Sequence, residues 1–200
     1  WVATDLSRNG VHVDVDEVLI VSGSQQALDM LGKLFIDPGS KVLIEAPSYL
    51  GAIQSFSAYE PTYETVPSDQ GGLDPQALTT ARADGARFIY VLPNFQNPTG
   101  LTLSRERREA LAKRCAELDV PIIEDDPYGE LRYAGEPQPS LLEVGRRVGA
   151  TVIRLGSFSK VLAPGLRIGY IVAPKPIISK LVQIKQATDL HTASLTQMAV

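Results

Sequence analysis

Apolar residues arrive along this chain in short unbroken runs, each followed by turn-forming residues and then by a stretch with helical spacing. Val18, Leu19, Ile20 and Val21 lead into Ser22-Gly23-Ser24-Gln25, after which Ala27, Leu28, Leu31, Leu34 and Phe35 recur on one helical face. Residues 41–45 repeat the pattern. They form a second predicted strand that turns through Ala46-Pro47-Ser48-Tyr49 into a helix reaching Phe56. A short strand over 63–66 precedes a Gly71-Gly72 turn, and Asp74 with Pro75 supplies the cap and first residue of a helix to about Ala83. The run 87–92 is strongly apolar after Arg87, which suits a strand covered on both faces. Ser104 then caps a helix carrying Leu111, Cys115 and Leu118.

Further strands are predicted at 120–125, 151–155 and 167–173, and Pro176 opens an amphipathic helix through Leu181 and Ile184. Strand and helix alternate without a repeat, a low-complexity segment or a linker. The alternation predicts an α/β fold in three layers (α/β/α), with a mostly parallel sheet and helices on both faces.

Composition narrows the class of function. The 200 residues are 44% hydrophobic and 21% charged, ordinary values for a globular core. With 23 acidic against 19 basic residues the formal charge is −4, and no like-charged block offers a nucleic-acid surface. No apolar run is long enough to cross a bilayer and no basic-then-apolar leader opens the chain, so a cytoplasmic protein is expected. Cys115 stands alone on a helical stripe and reads as core, while His12 and His191 have no neighbours that would make them catalysts. The chain begins at Trp1 and ends at Val200 within a helical pattern, so a piece of a longer polypeptide is expected.

The chemistry concentrates where predicted strands end. Ser157, Ser159, Lys160 and Arg167 follow the strand at 151–155. A lysine amine forms a Schiff base with an aldehyde, and hydroxyls beside a guanidinium bind a phosphate ester. The alternative is a solvated loop lysine among turn serines. Ser24 and Gln25 open a helix whose free amides suit an anion, although a serine there equally reads as a helix cap. Tyr49 could cover a planar ligand or simply pack, and Asn97, in the turn-rich stretch 93–100, could donate to a ligand oxygen or simply shape a loop.

Glu124, Asp125 and Asp126 are consecutive carboxylates at the end of an apolar strand, so at least one needs a cation or a metal. Strand alternation points Asp125 away from the other two. The lack of nearby His or Cys, and Tyr128 three residues on, favour an organic ring over a metal.

These stretches resemble class I/II aminotransferases, the fold-type-I pyridoxal-phosphate enzymes. The resemblance rests on residues 22–28, 46–49, 97–100, 124–128 and 156–160, together with Arg167, and spans nearly the whole chain. The wording is most similar to the 2-aminoadipate and kynurenine aminotransferase subgroup. It implies a pyridoxal 5'-phosphate cofactor held on Lys160 as a Schiff base, with that lysine also moving protons. Asp125 is then expected at the pyridine nitrogen, Tyr128 and Asn97 at the phenolic oxygen, and Tyr49 against the ring. Ser24, Gln25, Ser157, Ser159 and Arg167 are expected at the phosphate. The implied reaction moves an amino group from an α-amino acid to a 2-oxo acid.

Residues 1–200 then correspond to the cofactor-binding large domain, without the family's N-terminal segment and C-terminal small domain, and the full-length protein is expected to be a homodimer. Two other readings stand beside this one. An aminotransferase-like effector domain can follow a helix-turn-helix segment in a transcriptional regulator, and the same cofactor also serves lyases and decarboxylases.

Overall fold

The computed structural model describes residues 1–8 and 10–200. Helix α1 (Val2–Arg8) is followed by β1 (Val18–Val21), α2 (Ser24–Phe35), β2 (Lys41–Glu45), α3 (Leu50–Ser57) and β3 (Thr62–Val66). A small ribbon of β4 (Ser68–Asp69) and β5 (Gly72–Leu73) comes next, then α4 (Thr80–Ala83), β6 (Ala86–Val91), α5 (Arg105–Leu118) and β7 (Ile122–Asp125). The chain continues through α6 (Leu141–Val148), β8 (Val152–Ser157), α7 (Phe158–Val161), β9 (Gly169–Val172), α8 (Lys175–Thr188) and α9 (Ser194–Met198).

Seven strands form one sheet in the order β1-β9-β8-β7-β6-β2-β3. From β8 through β3 every neighbouring pair is parallel, while β9 runs antiparallel to both β8 and β1. Alternation along each strand divides the core between two faces. On β6, Phe88 and Tyr90 pack with Leu28 and Leu31 of α2, Phe56 of α3 and Leu181 of α8, whereas Ile89 and Val91 pack with Leu111 of α5 and Leu142 of α6. Both faces of the strand are therefore dry, as its unbroken apolar run requires.

Local chemistry sets several element ends. Ser104 accepts from the Arg107 amide at the start of α5, and Ser140 accepts from the Glu143 amide at the start of α6. Helix α6 has no counterpart among the predicted elements, because its short apolar pattern follows a Pro-rich loop. The helix predicted over 74–83 is two pieces. Asp74 caps a single turn at Pro75–Ala77, Leu78 leaves helical geometry with its side chain fully buried, and Thr79 starts α4 afresh. Burial of Leu78 outweighs the continuity of that helix. The cap of α2 is Gly23, not a serine, and Ser24 is its first helical residue.

One glycine explains how distant turns meet. Val21 at the end of β1 and Ser157 at the end of β8 both pair with Gly169 of β9. A Cβ on Gly169 would lie 2.9 Å from the Gly156 carbonyl oxygen and 3.1 Å from the Ser24 nitrogen. Only a residue without a side chain lets the two strand ends converge so closely.

Candidate active site

At that convergence lies a cleft of about 310 Å³, at the carboxyl ends of the parallel strands. Each strand end delivers residues to it: Ser24 and Gln25 after β1, Tyr49 after β2, Asn97 after β6, Asp125 and Tyr128 from β7, and Ser157, Ser159 and Lys160 from β8. Arg167 reaches in from the segment between α7 and β9. All ten residues singled out in the sequence thus line one space, and Lys160 and Asp125 share it.

The wall formed by Ser24, Ser157, Ser159 and Arg167 is rich in donors. Arg167 adopts a left-handed backbone conformation with φ 52° and donates to Ser159 Oγ at 3.4 Å. Its guanidinium lies against Gly23, where a Cβ would come within 2.5 Å of Nη2, so the positive φ of 85° and the contact both call for glycine. Ser157 accepts from the Ser159 amide, while the Gln25 side chain donates to Gly51 O and Ser55 Oγ on α3. The start of α2 has no side-chain cap, which leaves the positive end of its dipole open toward the cleft.

The carboxylates of β7 separate as alternation requires. Glu124 accepts from the Leu141 and Leu142 amides at the start of α6, and Asp126 accepts from the Gly129 amide. Arg154 on β8 pairs with Glu124 at 3.4 Å and Asp126 at 3.0 Å, supplying the cationic partner expected for these acids. Asp125 points the other way. Its Oδ2 accepts from the Tyr90 hydroxyl at 2.6 Å, whereas Oδ1 is buried and has no hydrogen-bond partner among the described residues. Burial pushes the Asp125 carboxyl up to about 6, opposed by the Tyr90 hydrogen bond and reinforced by Asp126. Burial, then Asp125 and Tyr128, raise the Tyr49 phenol above its ordinary value.

Tyr90 and Arg154 carry no functional signal in the sequence. Tyr90 reads as one more apolar strand residue, and only the β6–β7 register, which pairs it with Ile123, sets its hydroxyl beside Asp125. The other residues considered lie elsewhere. Cys115 is buried in the core with its thiol pushed up to about 12 by desolvation, and His12 and His191 are exposed. No helix among the described residues is long and apolar enough to cross a membrane.

Fold and cleft together define a class: an α/β sheet whose carboxyl edge gathers a lysine, a buried carboxylate with a spare oxygen, and a wall of hydroxyls and a guanidinium. The chain belongs to the family described as aminotransferase class I and II, which matches residues 3–200. It is 48% identical over 192 residues to the 2-aminoadipate transaminase of Thermus thermophilus, covering 95% of this chain and 48% of that protein. The solved structure of LysN, the α-aminoadipate aminotransferase of Thermus thermophilus complexed with N-(5'-phosphopyridoxyl)-L-leucine, superposes with a TM-score of 0.90 at 47% identity. That match covers 98% of this chain and 50% of that one. A helix-turn-helix-type transcriptional regulator of Bacillus subtilis, YdfD, is 39% identical over 193 residues, covering 96% of this chain and 40% of the regulator. The chain spans about half the length of the curated relatives it matches, or less.

Proposed function

We propose that residues 1–200 are the cofactor-binding large domain of a pyridoxal-phosphate-dependent aminotransferase, which moves an amino group from an α-amino acid to a 2-oxo acid. The whole protein is read as a cytoplasmic homodimer. The observation that carries this reading is the buried Oδ1 of Asp125, without a hydrogen-bond partner among the described residues, in the same cleft as Lys160 and the Ser24–Arg167 wall. A buried carboxylate oxygen without a partner is costly, and the protonated nitrogen of a pyridine ring is a donor of the right kind to satisfy it.

When bound, pyridoxal phosphate supplies an electron sink for charge developing at the substrate α-carbon. The chain's own residues do the rest. Asp125 favours a protonated ring nitrogen by holding negative charge beside it. Asn97 and Tyr128 would donate to the phenolic oxygen, and Tyr49 would cover one face of the ring. Backbone amides at Ser24 and Gln25, the Ser157 and Ser159 hydroxyls and the Arg167 guanidinium would hold the phosphate. Lys160 Nζ would be the attachment point for the aldehyde and, when free, the base for the α-proton.

Borohydride reduction of the cofactor-loaded full-length protein, followed by peptide mapping, tests the site: the pyridoxyl label is expected on Lys160, and a label on Lys175 or Lys180 refutes the assignment. Incubation with amino acids and 2-oxoglutarate tests the reaction, with glutamate as the expected product. The identity to YdfD supports a second reading, in which the same cleft serves a regulator's effector-binding domain. A loaded protein that makes no glutamate and binds DNA would favour that reading.

A further inference from the structure

The Ser22–Gln26 turn that supports the phosphate cradle is gripped from behind by two charged residues of distant sequence. Lys185, near the end of α8, is only 4% exposed. Its Nζ donates to Gln26 Oε1 at 3.0 Å and to both oxygens of Asp189 at 2.9 Å. Gln26 Nε2 donates to Asp189 Oδ2 at 2.8 Å, and Gln26 Oε1 also accepts the Ser22 amide at 2.8 Å. The Ser22 hydroxyl completes the set by donating to Asp189 Oδ2 at 3.4 Å. Neither Lys185 nor Asp189 lines the cleft.

Stability alone is a poor reason for this arrangement. The buried Lys185 ammonium loses several kcal/mol of hydration against a carboxylate that stays 28% exposed, so an apolar side chain at 185 often packs as well or better. Helix α8 is already seated by Ile178 and Leu181 in the same core as Leu28 and Leu31 of α2. What an apolar side chain would not do is fix direction. The Gln26 carboxamide is locked at both ends, its oxygen on the Ser22 amide and Lys185, its nitrogen on Asp189. The cap of α2 is a glycine with no side-chain hydrogen bond, so the turn is anchored locally through the Gln26 side chain on the Ser22 amide.

We propose that Lys185 and Asp189 are positioning residues for phosphate binding: through Gln26 they hold the Gly23–Ser24–Gln25 main chain in the orientation that the anion requires. This inference rests on the functional reading above and assigns part of its affinity to a pair that never touches the ligand. Preorganised donors bind an anion without paying an ordering cost at the moment of association.

The test compares pyridoxal phosphate with pyridoxal, which lacks the phosphate, in absorbance titrations of the full-length apoprotein. Lys185→Met is expected to weaken pyridoxal phosphate by about tenfold while changing pyridoxal by less than about twofold, since only the anion's hydrogen bonds depend on the turn. A purely structural role would instead lower the melting temperature and weaken both compounds alike, and that result overturns the inference. Should Lys185→Met fail to fold, the double variant K185M/D189L keeps the position apolar and neutral and is expected to show the same phosphate-specific loss. A folded double variant that binds pyridoxal phosphate like the wild type overturns the proposal. Wild-type protein that takes up neither compound overturns the functional reading and this inference with it, whereas normal wild-type binding with unchanged variants overturns the inference alone.

Discussion

Glu124 and Asp125 are adjacent on β7 and equally hidden from water, with exposures of 0% and 2%. Their surroundings are opposite. Glu124 faces the α6 side of the sheet, where two backbone amides and Arg154 satisfy both of its oxygens. Asp125 faces the α2 side, where Tyr90 satisfies one oxygen and nothing among the described residues satisfies the other. A carboxylate fully paired within its own chain is part of the architecture. One left half-paired beside a cleft, with its pKa raised, is poised to meet a ligand. The same strand therefore carries, one residue apart, an acid paired within its own chain and the acid we propose meets the ligand.

Removing the partner on the structural side should have the largest effect on stability. Arg154→Met leaves Glu124 and Asp126 buried without their cation, and urea denaturation should report a loss of about 3–5 kcal/mol. A loss below about 1 kcal/mol would mean that the α6 amides alone suffice for Glu124.

The half-paired acid should behave in the opposite sense. Asp125 has an ordinary value of 3.8 and is pushed to about 6 in the fold, so the folded state holds its proton more tightly. The stability this contributes is fully present below about pH 4 and is lost as pH rises through about 6, a difference of roughly 3 kcal/mol. Asp125→Asn should therefore make the apoprotein up to about 3 kcal/mol more stable than wild type near pH 8, with the advantage vanishing near pH 4. Glu45, raised to about 7 by burial, adds a loss of the same sign to both proteins, so the difference between their pH–stability curves isolates Asp125. Parallel curves would contradict the half-paired description of this acid.

The smallest effect belongs to Tyr90→Phe. Losing the hydroxyl removes the one hydrogen bond that lowers the Asp125 pKa, so that pKa should rise further and neutral-pH stability should fall by about 1–2 kcal/mol. In the Asp125→Asn background the same change should cost less, because the ionised acceptor is gone. Equal costs in the two backgrounds would show that Tyr90 acts through packing alone.

Much of the architecture was legible in the chain because its signals are local. Apolar runs ended by Gly, Ser, Pro or Asn located all but the smallest strands, and the alternation of strand and helix implied the layered, mostly parallel sheet. The candidate site was legible for a related reason: in such a sheet the functional residues sit just past strand ends, so the motifs at 22–25, 124–128 and 156–160 marked their own positions. Helix α6 escaped because it is only eight residues long and follows a Pro-rich loop, and the helix over 74–83 was overextended because Leu78 answers to the core.

Sequence alone determined which residue types end each strand and that Asp125 and its two neighbours must point apart, because strand periodicity is a property of the local backbone. Tertiary structure decided which groups those side chains meet. The β6–β7 register brought Tyr90 to Asp125, the β7–β8 register brought Arg154 to Glu124, and the antiparallel β9 let Gly169 draw the ends of β1 and β8 together. These pairings depend on strand order and on the packing of helices between strands, which no local pattern encodes. The same holds for Lys185, whose grip on Gln26 spans 159 positions of chain and exists only once α8 lies on α2.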